Sequence, residues 1–193
     1  MAHEFPGFRA VQRLHTSRRS TVDRAIRIAD ARAVIVKQPA DDVVAAEALS
    51  RVQHEHDLLR SVQGPGVVEA LEIVRDGHRA ALILEDFGAD LARWIAERRF
   101  SIGEALDVAI EVARSLARIH AAGMVHKDIN PSNIVYDPVT RTAKLIDFDL
   151  ASRATAADPR AGWAAEGTLH YLAPEQTGRL EDRKSTRLNS SHV

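Results

Sequence analysis

The sequence predicts an α+β fold arranged in two lobes. Three observations lead there. The first third is strand-rich, with a single helical stretch between Asp42 and Arg60. The middle carries a long amphipathic helix, and short strands follow at Ile134–Tyr136 and Ala143–Ile146. Strands segregated from helices along the chain are the pattern of α+β rather than alternating α/β architecture.

Residues 11–37 read as strand material broken by the polar stretch His15-Thr16-Ser17-Arg18-Arg19-Ser20-Thr21. The β-branched run Val34-Ile35-Val36 precedes Lys37, and Pro39 closes that strand. From Asp42 to Arg60 the apolar positions Val44, Ala48, Val52 and Leu59 keep helical spacing, and Gly64-Pro65-Gly66 ends the element. Strands are expected at Val67–Val74 and Ala80–Leu84, joined by a turn at Asp76-Gly77. Leu91–Arg99 reads as a short helix. Ser101 and Glu104 have the spacing of a capping box. The helix they open is expected to turn Leu106, Ala109, Ile110, Ala113, Leu116, Ala117 and His120 inward and to stop at Gly123.

Composition narrows the function classes. The 193 residues are 45% hydrophobic and 27% charged, which suits one domain with a packed core. Cysteine is absent, excluding disulfides, thiol catalysis and Cys-ligated metal. The formal net charge of −1 provides no basic field for nucleic acid. No apolar run approaches the ~20 residues of a membrane span, and Met1 to Arg9 lack the basic-then-apolar order of a signal peptide. The expectation is a soluble, cytoplasmic chain with no nucleic-acid partner and no membrane segment. Of its 26 cations only Lys37, Lys127, Lys144 and Lys184 are lysines. Where Arg is the default, a Lys can mark a need for a compact point charge. Lys144 reads as an ordinary solvated lysine.

The chemistry concentrates downstream. His126-Lys127-Asp128-Ile129-Asn130-Pro131-Ser132-Asn133 is followed by Ile146-Asp147-Phe148-Asp149, and then by Gly167-Thr168 and Tyr171-Leu172-Ala173-Pro174-Glu175. In this order the segments resemble the protein-kinase signature: a His-x-Asp-x-x-x-x-Asn catalytic loop, an Asp-Phe-x metal motif and a Gly-Thr-x-x-Tyr-x-Ala-Pro-Glu segment. The resemblance covers about Phe8 to Leu180. It implies a bilobal protein-kinase fold, with a smaller lobe over about 8–84, a hinge at 85–88 and a second lobe over 89–181, cut short after the activation segment.

The same resemblance implies ATP and Mg²⁺ as cofactors and assigns roles. Asp128 would accept the hydrogen bond and proton of the acceptor hydroxyl, while Asn133 and Asp147 would hold metal through hard oxygen ligands. Lys37 would contact the phosphates and pair with Glu55, eighteen residues on; Glu47 lies too near the helix start to compete. Backbone groups near Glu85 and Phe87 would bond the adenine edge, with Leu84 at the rear. Thr168 would position Asp128 against a Ser or Thr acceptor of a protein substrate.

Three departures stand out. The glycine positions of the phosphate loop before Val22 are held by His15, Ser17 and Ser20, of which the two serines are small enough to approach phosphate and donate hydrogen bonds. Asn130 stands where a γ-phosphate lysine is usual. Asp149 replaces a glycine, either as a further metal-facing ligand or, in the simpler reading, facing solvent. Apart from these three, Lys127 stands in place of Arg, keeping a cation for a phosphorylated activation segment without bidentate geometry.

Three functions fit: a protein Ser/Thr kinase, a small-molecule phosphotransferase of the aminoglycoside or choline kinase type, and a non-catalytic ATP-binding pseudokinase module. The Gly167-Thr168 to Glu175 segment favours a protein substrate. The motif wording is also similar to a bacterial group in which a Gly-poor kinase domain precedes an AAA-type ATPase, a GAF sensor and a sensor histidine kinase, so downstream ATPase and histidine-kinase domains are expected partners. Residues 182–193 resemble a translated sequencing adapter and read as a non-native tail. Without further helices the long central helix would face an incomplete core. The chain as written is therefore expected to be poorly soluble and inactive.

Overall fold

The computed structural model describes residues 5–40, 43–153 and 168–172. Its first lobe is a five-stranded antiparallel sheet with one helix. The strands are β1 (Phe8–Thr16), β2 (Ser20–Arg27), β3 (Arg32–Pro39), β4 (Ala70–Asp76) and β5 (Arg79–Glu85), in spatial order β1-β2-β3-β5-β4. Helix α1 (Ala45–Ser61) lies between β3 and β4 in sequence and packs on β3, β4 and β5.

Strand alternation divides the sheet into two faces. Val34 and Val36 join Phe5, Phe8, Ala25, Ala81 and Ile83 in one apolar cluster. Leu82 and Leu84 face the other way, into a larger core with Val52, Leu58 and Leu59 of α1. Ile35 packs against that larger core, and Lys37 shares its face by the same alternation, pairing in register with Val22 and Leu82. That register delivers a cation to the interlobe side of the sheet.

Two boundaries differ from expectation for identifiable reasons. The break expected at 15–21 is present but shorter, a turn over 17–19, because β1 runs to Thr16 and β2 resumes at Ser20. The strand expected from Val67 begins at Ala70, since Val67 and Val68 pair instead with the second lobe. Val67 bridges to Leu145, and the Val68 N–H donates to the Leu145 carbonyl at 3.0 Å. Gly66 makes that approach feasible. Its φ of +83° is unfavourable for a side chain, and a Cβ there would sit 1.9 Å from Ser115 Oγ.

The second lobe contains β6 (Ala89–Asp90), α2 (Leu91–Glu97), α3 (Ile102–Ala121), β7 (Met124–Val125), β8 (Ile134–Asp137), β9 (Thr142–Leu145) and β10 (Ser152–Arg153). Short 3₁₀ turns cover Pro131–Asn133 and Leu169–Tyr171. Strands β6, β8 and β9 form one small sheet, and β7 pairs with β10. The capping box at α3 is present in both halves, Ser101 Oγ accepting from the Glu104 N–H and Glu104 accepting from the Ser101 N–H. Helix α2 stops two residues earlier than expected, and the Arg98 guanidinium beyond it lies over the Trp94 and Phe100 rings.

The expected inward face of α3 is corrected. Val108, Ser115 and Ile119 are the buried residues, and Leu116 is half-buried, while Leu106, Ala109, Ile110, Ala113, Ala117 and His120 are exposed. The helix carries two apolar stripes, and spacing alone does not say which meets β7 and β9. No described element covers the Leu106–Ile110 stripe. The expectations for Gly167, for Ala173-Pro174-Glu175 and for the tail at 182–193 fall outside the described residues.

Candidate active site

A cleft of about 870 Å³ opens between the lobes. Val22 and Ile35 line it from the first lobe, Val135 and Ile146 from the second, and Leu84 to Gly88 along the connecting segment. An apolar slot walled by two sheets, with polar groups at one end, is the form of a small-molecule site.

Lys37 anchors the polar end. Its Nζ lies 2.7 Å from Glu55 Oε1, 2.8 Å from Asp147 Oδ1 and 3.0 Å from Asp149 Oδ1. Helix α1 supplies Glu55, whose Oε1 also accepts the Phe148 N–H at 3.2 Å, tying the helix to the segment that carries both aspartates. Burial alone would lower the Lys37 pKa, but Glu55, Asp147 and Asp149 outweigh it and raise it above the ordinary lysine value. Burial, with the two aspartates close by, pushes Glu55 up to about 8 despite the attraction of Lys37. Asp147, although also desolvated, is held below the usual carboxylate range by Lys37.

Asp149 therefore does not simply face solvent, as the simpler reading had it. Its carboxylate turns in toward Lys37, and ligand oxygens of Glu55, Asp147 and Asp149 all lie within 4.8 Å of one another. Asp147 itself adopts φ +63°, a left-handed conformation that aims its carboxylate into the cleft.

The loop after β7 supplies the second group. Asp128 Oδ2 accepts from Asn133 Nδ2 at 2.8 Å, and Oδ1 accepts from the Thr168 N–H at 2.8 Å. Each oxygen retains a lone pair for a further donor. Asn133 Nδ2 also reaches the Asp128 carbonyl at 2.9 Å, so its amide group is oriented from inside the loop. His126 fixes the base of this loop. Its Nε2–H donates to the Ile146 carbonyl at 3.0 Å, its Nδ1 accepts the Asp128 N–H at 3.4 Å, and its ring meets the Phe148 ring edge-on at 4.7 Å between centroids. Burial lowers the His126 pKa and so favours the neutral ring, and the two hydrogen bonds select this tautomer.

Most residues singled out from the sequence converge here. Ser17, Ser20, Val22, Lys37, Leu84, Glu85, Phe87, Asp128, Asn133, Asp147 and Thr168 all line the cleft, and Glu55 sits behind Lys37. Asn130 lines the adjoining pocket of about 430 Å³, which shares Asp128, Asn133, Asp147 and Thr168 with the cleft. Its amide caps the 3₁₀ turn, accepting the Ser132 N–H at 2.9 Å and donating to Thr168 Oγ1 at 3.0 Å. In the empty site the amide two residues after Asp128 is thus engaged with Thr168 and with the turn itself.

The Gly-free loop has a structural account. Ser17 Oγ accepts from the Arg19 and Ser20 N–H groups, each at 3.1 Å, and no described residue from 15 to 20 has positive φ. A serine-closed turn of this kind does not require glycine. Of the two serines expected to donate to phosphate, Ser17 has its hydroxyl engaged within the turn.

Sequence reasoning missed two ties on the connecting segment. Arg24 of β2 pairs with Asp86, and Lys144 of β9 pairs with Glu85 at 2.5 Å while lying 4.4 Å over the Phe87 ring. Lys144 is thus not an ordinary solvated lysine. Its rarity in an Arg-rich chain was the available signal.

The protein kinase domain family matches residues 9–189. Among relatives, the chain is 35% identical over 162 residues to the serine/threonine-protein kinase PkaB of Streptomyces coelicolor, covering 78% of this chain and 38% of that protein. It is 33% identical over 133 residues to the serine/threonine-protein kinase PknA of Mycobacterium tuberculosis, covering 68% of this chain and 30% of that one. To the serine/threonine-protein kinase pkn2 of Myxococcus xanthus it is 30% identical over 165 residues, covering 80% and 20%. The chain thus spans well under half the length of these relatives. With the Lys37–Glu55 pair, the Asp128 loop and Asp147 meeting in one interlobe cleft, and with a family match across most of its length, the chain belongs to the protein kinase domain family.

Proposed function

We propose that the domain transfers the γ-phosphoryl group of ATP to a Ser or Thr hydroxyl of a protein, with Mg²⁺, in bacterial signalling. The observation that carries this reading is the placement of Asp128 on the same cleft as Lys37 and Asp147. Phosphoryl transfer asks for positioned charge rather than covalent chemistry from the protein. Lys37, braced by Glu55, offers a fixed cation to phosphate oxygens. Asp128, held through both its oxygens, orients an acceptor hydroxyl and takes its proton. The apolar walls at Val22, Ile35, Val135 and Ile146 suit an adenine ring, and the backbone of the connecting segment lies beside them.

The donor set suits a hard divalent cation. Asp147 offers a carboxylate, and Asn133, whose nitrogen is spent on Asp128, has its amide oxygen left to coordinate. When bound, that ion supplies charge neutralisation for the phosphates. Thr168 on Asp128 supports a protein acceptor over a small molecule. The kinase domain would act within a longer signalling protein that also carries ATPase and sensor histidine-kinase domains.

The test is transfer of radiolabel from γ-labelled ATP to a Ser/Thr-rich protein substrate, comparing wild type with D128A and D147A in the full-length protein. Wild-type transfer that both substitutions abolish is expected. Equal background in all three would sink the reading, and ATP binding without transfer would favour a non-catalytic module.

A further inference from the structure

The ion pair between Lys37 and Asp149 is not explained by the roles assigned so far. An ammonium carries three N–H donors, and three carboxylate oxygens lie within 3.0 Å of this one. Any phosphate oxygen that reaches Lys37 must displace a carboxylate. Glu55 is poorly placed to leave: its side chain is 5% exposed and is also held by the Phe148 N–H. Asp147 is directed into the cleft as a candidate metal ligand. Asp149, 31% exposed, lines both the main cleft and the side pocket of about 420 Å³ beneath α1, so it has room to swing away.

The charges point the same way. Asp147 and Asp149 by themselves outnumber the one ammonium they share, so the immediate surroundings of Lys37 are net negative, and a bare nucleotide triphosphate adds more negative charge. A divalent cation arriving with the nucleotide offsets this repulsion, whereas nucleotide alone meets it in full.

Resting on the ATP reading above, we propose that Asp149 is a positioning residue that occupies Lys37 in the empty site and makes nucleotide binding conditional on a divalent cation. It acts through Lys37, by competing with phosphate and by raising the negative charge the phosphate must face. Removing its charge weakens its hold on Lys37 and lowers the repulsion, and removing the side chain frees that donor outright, so the largest gain falls on nucleotide without metal.

The experiment is a fluorescence titration of the full-length protein with a ribose-labelled ATP, once with EDTA and once with excess Mg²⁺. Wild type, D149N and D149G are compared, the asparagine keeping shape and the glycine removing the side chain. Wild type is expected to bind far more weakly in EDTA than in Mg²⁺. Both substitutions are expected to tighten the EDTA arm by roughly tenfold while moving the Mg²⁺ arm by less than about threefold, the size of one partly screened charge contact. EDTA affinities within about twofold of wild type for both variants would overturn the inference, as would an equal gain in both arms. Absence of binding by wild type even with Mg²⁺ would instead defeat the nucleotide reading, so the two failures are distinct. Thermal melting of each variant, with the isosteric D149N as reference, separates loss of fold from change of affinity.

Discussion

Arg24 of β2 grips Asp86 of the connecting segment through two parallel hydrogen bonds, Nε to Oδ2 at 2.6 Å and Nη2 to Oδ1 at 3.1 Å. The same Nη2 reaches the Gly88 carbonyl at 3.2 Å. With Lys144 on Glu85 from the opposite lobe, the connecting segment is held from both sides. A bidentate, partly buried pair outweighs the ~0.5 kcal/mol of an ordinary exposed one. A double-mutant cycle of R24A and D86A, followed by urea denaturation, should give a coupling of about 1–2 kcal/mol.

Lys37 and Glu55 predict an asymmetry. E55Q leaves Lys37 two carboxylates, so the fold should lose less than about 1 kcal/mol, while transfer falls roughly hundredfold as Lys37 shifts out of position. K37M strands three carboxylates without a cation and should cost about 3 kcal/mol. Denaturation curves and single-turnover transfer, measured side by side, check both.

Asp128 is held by a backbone N–H at Thr168, not by the Thr168 hydroxyl. D128N should therefore lower kcat by about 10²–10⁴, the usual range for a lost general base, whereas T168A should cost less than about tenfold. Steady-state kinetics at saturating ATP distinguishes the two.

His126 predicts a pH window. Its folded pKa lies below the ordinary value of 6.5 because it is buried. Above that value the ring is neutral in both states and contributes fully to stability. As pH falls below 6.5 the unfolded chain takes up a proton that the folded chain resists, so stability declines down to the folded pKa. Melting temperature from about pH 7 to pH 5 should fall more steeply in wild type than in H126Q.

Gly66 predicts a steric failure. Alanine there combines a φ of +83° with a Cβ 1.9 Å from Ser115 Oγ. G66A should destabilise by at least about 2 kcal/mol, and S115A added to it should recover part of that loss. Denaturant midpoints of the single and double variants provide the measurement.

Much of the site was legible before the fold was known. Lys37, Glu55, Asp128, Asn133 and Asp147 each sit where motif order put them, because phosphoryl-transfer chemistry restricts residue type as well as spacing. The α3 face was not legible. Ala, Leu and Ile recur all round that helix, so periodicity admits two stripes, and only the position of β7 and β9 selects Val108, Ser115 and Ile119. The Asn130 hydrogen bond to Thr168 was not legible either, because it joins side chains 38 positions apart.

The sequence by itself determined the two-lobed α+β layout, the strand and helix order, the capping box and most of the residues that meet in the cleft. Those depend on local periodicity and on chemistry that few side chains can perform. Tertiary structure alone decided the inward turn of Asp149 onto Lys37, the Lys144 and Arg24 ties on the connecting segment, and the close approach at Gly66. Each joins residues distant in sequence, as in the 110 positions between Lys37 and Asp147. Charge and packing at that range are set by which elements meet in space, and no local pattern encodes the meeting.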